Sequence, residues 1–205
     1  MSELGLFPLP IVLLPTELVP LHIFEERYKE LIGECLADER EFGLVFADDD
    51  GVREIGTLAA VVEVLPPEFE DGRMNIVVEG RERFRLVRLT EGRSFQTAEI
   101  TPVEDTEDAP PEELVERARA LFARLAQVTG SEVEIPSGDT PQLSYVLASR
   151  VYELANELRL ELLAAVSETA RLGRVCEVLE EATVSVERQR RAAERAATNG
   201  RVDFR

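Results

Sequence analysis

The sequence predicts an α+β protein in which a small β-barrel with one inserted helix is followed by an α-helical bundle. Three observations predict it. Apolar residues alternate with a period of two through much of residues 41–100, and they recur every three or four residues after residue 110. An acidic, proline-ended segment at 104–111 separates the two patterns. We therefore expect a barrel subdomain at 1–108, a bundle at 109–186, and an exposed helical or disordered tail at 187–205.

The chain begins with an apolar run that prolines interrupt. Pro8, Pro10, Pro15 and Pro20 divide it, and because proline lacks a backbone N–H and fixes φ, the run cannot form one helix. Short edge strands and turns are expected instead. The interrupted run fits neither a membrane span nor a secretory signal, so the chain is predicted to be cytoplasmic, with no membrane partner.

A helix is predicted at 23–39, inserted before the main strands. Its apolar stripe recurs at helical spacing, and its other side is mostly charged. The stripe consists of Phe24, Tyr28, Leu31, Ile32, Cys35 and Leu36.

The strands of the barrel follow this helix. Phe42–Phe46 reads as a strand, an Asp-Asp-Asp-Gly turn at 48–51 follows, and 55–65 is a nearly unbroken apolar strand. Further strand patterns lie at 74–87 and 95–103, and Gly80 within the first of them indicates a bulge or a close approach of another backbone. Several short strands joined by turns are expected to close into a small barrel.

Four antiparallel helical segments are predicted to share one core after the linker. The first starts at Pro111, the second has Pro141 in its first turn, the third spans 158–166, and Ser167 caps the fourth. The expected inward stripe of the first is Leu114, Ala118, Leu121, Leu125 and Val128.

Charge is distributed unevenly along the chain. The formal net charge is −18; residues 1–108 carry 10 basic and 25 acidic side chains, a net −15, and residues 109–205 carry 13 and 16, a net −3. Because non-specific nucleic-acid affinity comes mainly from Lys and Arg contacts to phosphate, no nucleic-acid partner is expected. The favoured interpretation of this acidic excess is a well-solvated surface, and the alternative is attraction of basic partner segments.

The sequence contains little that could perform catalysis. Lys29 is the only lysine, so there is no phosphate-binding P-loop, and a serine–lysine peptidase dyad would have to use a lysine with no neighbouring serine. His22 is the only histidine and is expected to pack and form hydrogen bonds before the first helix. Cys35 and Cys176 are expected to be buried hydrophobic side chains. We therefore predict no catalytic residue, no cofactor and no enzyme activity.

No metal site is expected either. If Gly51 is placed at the glycine position of an EF-hand loop, Phe46 takes the first ligand position and Thr57 that of the bidentate glutamate, which breaks the motif. A basic cluster, consisting of Arg81, Arg83, Arg85, Arg88 and Arg93, could contact an anion or a peptide carboxylate. Pairing with the abundant carboxylates is the favoured interpretation.

The order of these features closely resembles the N-terminal, substrate-binding domain of Lon proteases. The likeness rests on short motifs: Leu6-Phe7-Pro8-Leu9, Pro15, Pro20-Leu21-His22-Ile23-Phe24-Glu25, Arg27-Tyr28, Phe42-Gly43-Leu44-Val45, Ile55-Gly56-Thr57, Glu79-Gly80, Arg83-Phe84 and Leu143-Ser144-Tyr145. It covers the chain to about residue 185 and implies a PUA-like barrel. We expect a stand-alone module without the ATPase and protease domains.

The resemblance implies a non-catalytic protein- or peptide-binding module that recognises unfolded or extended polypeptides. Its partners would be such chains, with a protease or adaptor as a further candidate. The expected contact, at the junction of barrel and bundle, is the charged face of the first helix: Glu26, Arg27 and Glu30. Two alternatives stay open. One is an adaptor with a single specific protein partner, and the other is a small-molecule or RNA site on the PUA-like barrel.

Overall fold

A computed structural model describes residues 3–66, 73–106, 108–151 and 154–199. These residues form six strands: β1 (Leu4–Leu9), β2 (Leu18–Ile23), β3 (Phe42–Asp48), β4 (Gly51–Leu65), β5 (Met74–Thr90) and β6 (Thr97–Pro102). The same residues form five helices: α1 (Glu26–Asp38), α2 (Glu112–Thr129), α3 (Leu143–Ser149), α4 (Asn156–Ala164) and α5 (Glu168–Asn199). The predicted α+β class is confirmed.

The chain divides into two compact units, each built from two stretches of sequence. Unit 1 consists of Met1–Glu107 and Ala148–Val166, and unit 2 consists of Asp108–Leu147 and Ser167–Arg205. This division differs from the predicted bundle at 109–186, because α4 groups with the barrel. The helix α4 groups with the barrel because it forms hydrogen bonds with barrel residues.

The strands of unit 1 close into a ring. The sheet order is β2-β5-β4-β3-β1-β6, and β6 pairs with β5 as well as with β1, so five strands form a closed barrel. β1 and β3 are parallel and the other pairs are antiparallel. β2 lies outside the ring and pairs with β5. The predicted closed sheet is confirmed.

Two apolar clusters fill unit 1. Leu6, Val45, Phe84 and Ala98 form one of them, and five side chains from four strands pack around it. The other includes Tyr28, Leu31, Ile32 and Cys35 from the predicted stripe of α1. Phe24 and Leu36, which were also predicted on this stripe, are instead 60% and 41% exposed. Phe24 differs because α1 begins only at Glu26.

Gly80 lies where another part of the backbone comes very close to β5. A Cβ atom at this position would lie 2.1 Å from the carbonyl oxygen of Leu14. Two hydrogen bonds fix this approach, from the Thr16 N–H to the Gly80 carbonyl (2.7 Å) and from the Gly80 N–H to the Glu17 carbonyl (2.9 Å). Only glycine fits here, and the predicted close approach of another backbone is confirmed. β5 nevertheless continues through it as one strand.

Unit 2 is built on α2 and α5, which run parallel. Arg117 pairs with Glu180 at 2.8 Å and Arg124 with Glu187 at 2.9 Å, so the residue numbers rise together along both helices. The predicted antiparallel arrangement is wrong for this pair. The buried face of α2 consists of Val115, Ala118, Phe122 and Leu125, one residue from the predicted stripe at two of its positions.

The start of α5 is well fixed within unit 2. The Ser167 hydroxyl accepts a hydrogen bond from the Ala170 N–H at 3.1 Å, so the predicted cap is confirmed. One turn later, the fully buried Arg171 pairs with Glu168 at 2.8 Å and lies over the Tyr145 ring. α5 continues to Asn199, so residues 187–199 of the predicted tail are helical, and 200–205 lie outside the described residues.

Candidate functional site

A groove in unit 1 combines apolar walls with a buried ion pair. Ile11 and Val12 from the proline-broken loop and Val19 of β2 form one side, and Val151 and Leu154, just before α4, lie on the other. Its volume is about 360 Å³. This is at the lower end of the range for binding sites in proteins and suits one or two side chains of an extended chain.

The ion pair in the groove holds its two walls together. Arg159 of α4 pairs with Glu17, and its Nε donates to the Val12 carbonyl at 2.9 Å. Glu17 also accepts a hydrogen bond from the Leu14 N–H at 2.9 Å. The two charged side chains are only 12% and 13% exposed and neutralise each other, so the groove offers mainly apolar surface to a partner.

The far end of α4 is anchored by a second arginine. Arg83 of β5 donates to the carbonyls of Leu163 (2.7 Å) and Ala165 (2.6 Å) and pairs with Asp105. A cation at the C-terminus of a helix satisfies carbonyls that have no partner within the helix and interacts favourably with the helix dipole. Arg83 is 5% exposed, so this contact is shielded from solvent. It explains why α4 belongs to unit 1.

The other arginines of the basic cluster are also paired with carboxylates. Their partners are Glu79 for Arg81, Glu54 for Arg85, Glu99 for Arg88 and Glu34 for Arg93. The favoured interpretation of the cluster is therefore confirmed, and these arginines are already occupied by acidic neighbours.

Strand β2 presents apolar side chains on its outer side as well. Leu18 is 61% exposed and Phe24, just beyond the strand, is 60% exposed. The Phe24 ring stacks on His22, with 5.9 Å between centroids, and His22 Nδ1 lies 2.7 Å from Asn75 Oδ1. His22 thus forms the expected hydrogen bond, but it lies on the exposed side of the strand.

The predicted contact residues lie on the outer side of α1. Glu26 pairs with Lys29 at 2.8 Å, and Arg27 pairs with Glu25 and lies over the Tyr28 ring. Glu30 accepts a hydrogen bond from the Ser94 hydroxyl at 2.5 Å. None of the three is among the residues that line the groove. Their role in binding stays a prediction.

Little in the described part of the chain is arranged for catalysis or metal binding. Among those residues, no group of three or more His, Cys, Asp or Glu side chains could hold a metal ion. Burial raises the pKa of the Cys35 thiol to about 11 and also raises the pKa of Cys176, which disfavours the reactive thiolate. Within the same residues, no helix has the length and apolarity needed to cross a bilayer.

The sequence pattern did not reveal the groove. Its walls come from residues about 140 positions apart in the chain, and Asn156 Nδ2 bonds to the Pro10 carbonyl across that separation. The available signal was the surplus of apolar residues between Pro10 and Pro20, more than short edge segments need for their own packing.

Comparisons with known proteins agree on one family. The family model described as the ATP-dependent protease La (LON) substrate-binding domain matches residues 3–181. A Lon protease of Azospirillum brasilense is 26% identical over 144 residues, 64% of this chain and 17% of that protein. A Lon protease of Paraburkholderia phytofirmans is 25% identical over 183 residues, 82% of this chain and 23% of that protein. The chain thus spans less than a quarter of the length of these relatives.

Solved structures show the same fold. The crystal structure of a Lon N-terminal domain protein from Xanthomonas campestris superposes with a TM-score of 0.68 and 26% identity, covering 85% of this chain and 97% of that one. The N-terminal domain of a Mycobacterium avium complex Lon protease gives a TM-score of 0.65 at 19% identity, covering 89% and 98%. Because the family model covers most of its length, the chain belongs to the LON substrate-binding domain family.

Proposed function

We propose that this protein is a non-catalytic module that binds unfolded or extended polypeptides in the groove between the 10–19 segment and the start of α4. The observation that carries the proposal is the apolar lining around a mutually neutralised Glu17–Arg159 pair. Such a lining favours aliphatic or aromatic side chains over charged ones, because a charged side chain entering it would lose hydration without gaining a free counter-charge.

The strand beside the groove supports binding of an extended chain. Among the strands that the structure describes, β2 pairs only with β5, so its other edge can offer backbone groups to a peptide, while the groove accepts side chains. Pro20 has no N–H to donate in the middle of this strand. A proline on an exposed edge limits unselective strand pairing, so side-chain burial would contribute more to affinity than backbone hydrogen bonds.

The family supports substrate recognition as the general role, and three further points belong to the proposal. Glu26, Arg27 and Glu30 would supply a second, charged contact for the same polypeptide, suited to segments that carry both signs of charge. The binding itself would need no cofactor. Two free buried thiols, with no disulfide among the described residues, fit a reducing, cytoplasmic setting.

The test uses the full chain and a fluorescently labelled, permanently unfolded protein, such as reduced and carboxymethylated α-lactalbumin. Fluorescence anisotropy should show saturable binding. Ile11→Ser and Leu154→Ser should each weaken it about tenfold, the factor expected for losing one well-buried aliphatic contact. Val87→Ser changes a valine that is 57% exposed in the same unit and is absent from the groove lining, so it serves as the matched control.

The possible outcomes separate the candidate functions. Saturable binding that only the groove variants weaken supports the proposal. Equal loss in the Val87→Ser control contradicts the groove as the site. If unfolded chains do not bind but one folded protein is recovered at fixed stoichiometry from cell extract, the adaptor function replaces the proposal.

A further inference from the structure

A second cavity of unit 1 lies at the mouth of the barrel, and the proposed polypeptide binding makes no use of it. Its volume is about 310 Å³. Leu4, Leu58 and Ile100, whose side chains pack against the apolar cluster of the barrel, contribute to its lining. Barrel mouths are frequent sites for small ligands, because the interior supplies apolar surface and the strand ends supply polar groups.

A glycine allows apolar side chains to pack closely at the floor of this cavity. A Cβ atom at Gly5 of β1 would lie 2.3 Å from Leu31 Cδ1 and 3.1 Å from Phe95 Cε2, so these side chains occupy the space that any other residue would fill. The Cys35 thiol also lines the cavity, and this residue is 7% exposed. In the described part of the chain, no hydrogen bond or ion pair engages its sulfur. The cavity therefore has a floor that is apolar or only weakly polar.

The rim carries charged side chains, of which the arginines form ion pairs with described residues and two carboxylates do not. Arg93 pairs with Glu34 and lies over the Phe95 ring, 4.6 Å from its centroid, and Arg40 pairs with Asp38. The carboxylates of Glu3 and Glu41 also line the cavity, and neither forms an ion pair with a described residue. Both arginines on the rim are thus engaged, and the negative charge left over is that of Glu3 and Glu41.

We propose that the mouth cavity binds small amphipathic cations, with the apolar part against Leu4, Leu58 and Ile100 and the ammonium group at the carboxylates of Glu3 and Glu41. A primary amine with a short aliphatic chain has the required chemistry. An anion of the same shape is disfavoured, because the arginines that could receive it are already paired. A short amine without an apolar chain lacks the contact that would hold it over the floor.

The environment of Glu41 agrees with a role at the rim. Burial, and next the neighbouring Glu82, raise the pKa of Glu41 above its ordinary value, and the Arg81 cation opposes them only in part. A cation beside this carboxylate would relieve both effects, since it compensates for lost hydration and offsets the repulsion. Glu41 therefore gains more from such a ligand than a fully solvated carboxylate would.

The test is an NMR titration of the ¹⁵N-labelled full chain with n-hexylammonium chloride. Hexanoate is the control for charge, and ethylammonium is the control for the apolar chain. Saturable amide shifts at Leu4, Leu58 and Ile100 with hexylammonium are expected. Glu41→Gln and Glu3→Gln should each weaken binding roughly fivefold, the factor for one lost, partly exposed ion pair. Glu63→Gln, on an exposed residue of β4 outside the cavity, should leave it unchanged.

A second readout keeps the inference testable if one variant folds poorly. Bound hexylammonium should slow alkylation of Cys35 by iodoacetamide, measured by mass spectrometry, while Cys176, 1% exposed in unit 2, provides the internal reference. Equal shifts with hexanoate, shifts that do not saturate, or unchanged affinity in both glutamate variants would each overturn the inference. Because polypeptide binding is measured with separate variants, either proposal can fail without the other.

Discussion

The two openings of unit 1 have similar volumes but differ in how their charges are paired. In the groove, about 360 Å³, the two charged side chains satisfy each other and are almost completely shielded. In the mouth cavity, about 310 Å³, two carboxylates have no ion-pair partner among the described residues. Volume alone therefore does not decide what a cavity accepts. The pairing of its charges determines whether it selects by apolar contact or by charge.

Arg83→Met should have the largest effect, because it removes the anchor of α4 and with it one wall of the groove. Arg83 donates charged hydrogen bonds to Leu163, Ala165 and Asp105 in a site where it is 5% exposed. Leaving Asp105 and two carbonyls without this partner should lower the free energy of unfolding by about 3 kcal/mol. Urea denaturation followed by circular dichroism measures it.

The control for Arg83→Met is Arg85→Met, two residues along the same strand. Arg85 and its partner Glu54 are 50% and 78% exposed, so its loss should cost less than about 0.5 kcal/mol. Equal losses for the two variants would show that the anchoring of α4 contributes nothing special to unit 1. Hexylammonium binding at the mouth should survive Arg83→Met better than polypeptide binding does.

Arg159→Met should have the next largest effect, because it disturbs the groove from inside. The substitution leaves Glu17 without its cation in a largely apolar groove and removes the hydrogen bond to the Val12 carbonyl. These losses should lower the free energy of unfolding by about 2 kcal/mol. Polypeptide binding should also weaken, because a charge in the groove is then uncompensated. Thermal denaturation and the anisotropy titration measure the two effects.

The double variant Glu17→Gln with Arg159→Met sharpens this result. The introduced amide oxygen can still accept a hydrogen bond from the Leu14 N–H, and no unpaired charge remains, so both stability and polypeptide affinity should recover in part. If binding is unchanged in Arg159→Met although stability falls, the groove is not the polypeptide site.

Glu41 gives a smaller effect that depends on pH. Its raised pKa means that the folded state holds this proton more tightly than the unfolded chain does. Its contribution to stability is therefore greatest below the ordinary value of 4.5 and falls as pH rises through the folded-state pKa. Hexylammonium affinity should show the reverse trend and increase with pH over the same range. NMR titrations at several pH values check it, and Glu41→Gln should flatten the curve.

Asp108 of unit 2 should have the smallest effect on stability. It lies outside both the groove and the mouth cavity, so it serves as a reference for them. Hydrogen bonds from Thr169 and Ser167 at the start of α5 lower its pKa from 3.8 to about 2. The stability it provides is present above pH 3.8 and is lost as pH falls toward 2. In Asp108→Asn the melting temperature should drop slightly at pH 7, and its difference from the parent should vanish near pH 2. Neither binding activity should change at pH 7.

Local patterns predicted most of the barrel and little of the site. The period-two strands and the turn at Gly51 follow from backbone chemistry within a few residues, so they can be derived from sequence. Gly80 indicated a bulge or a close approach of another backbone, but the sequence did not show that the approaching residue is Leu14. The position of α4 cannot, because it depends on Arg83 and Arg159 finding carbonyls and carboxylates far away in the chain. The parallel direction of α2 and α5 could not be derived either, because it also depends on contacts between residues far apart in the chain. An apolar stripe indicates that a helix is covered but not in which direction its neighbour runs.

The return of Ala148–Val166 to the first unit has a practical consequence for dissecting the protein. A fragment cut at the acidic linker would carry every barrel strand, yet Arg83 would lose the carbonyls of Leu163 and Ala165. The 10–19 segment would also lose its hydrogen bond from Arg159 to the Val12 carbonyl. Such a fragment would test a damaged surface, so a negative pull-down with it would say nothing about the intact molecule. A shortened protein that keeps this surface intact needs residues 148–166 joined to the barrel by a new linker.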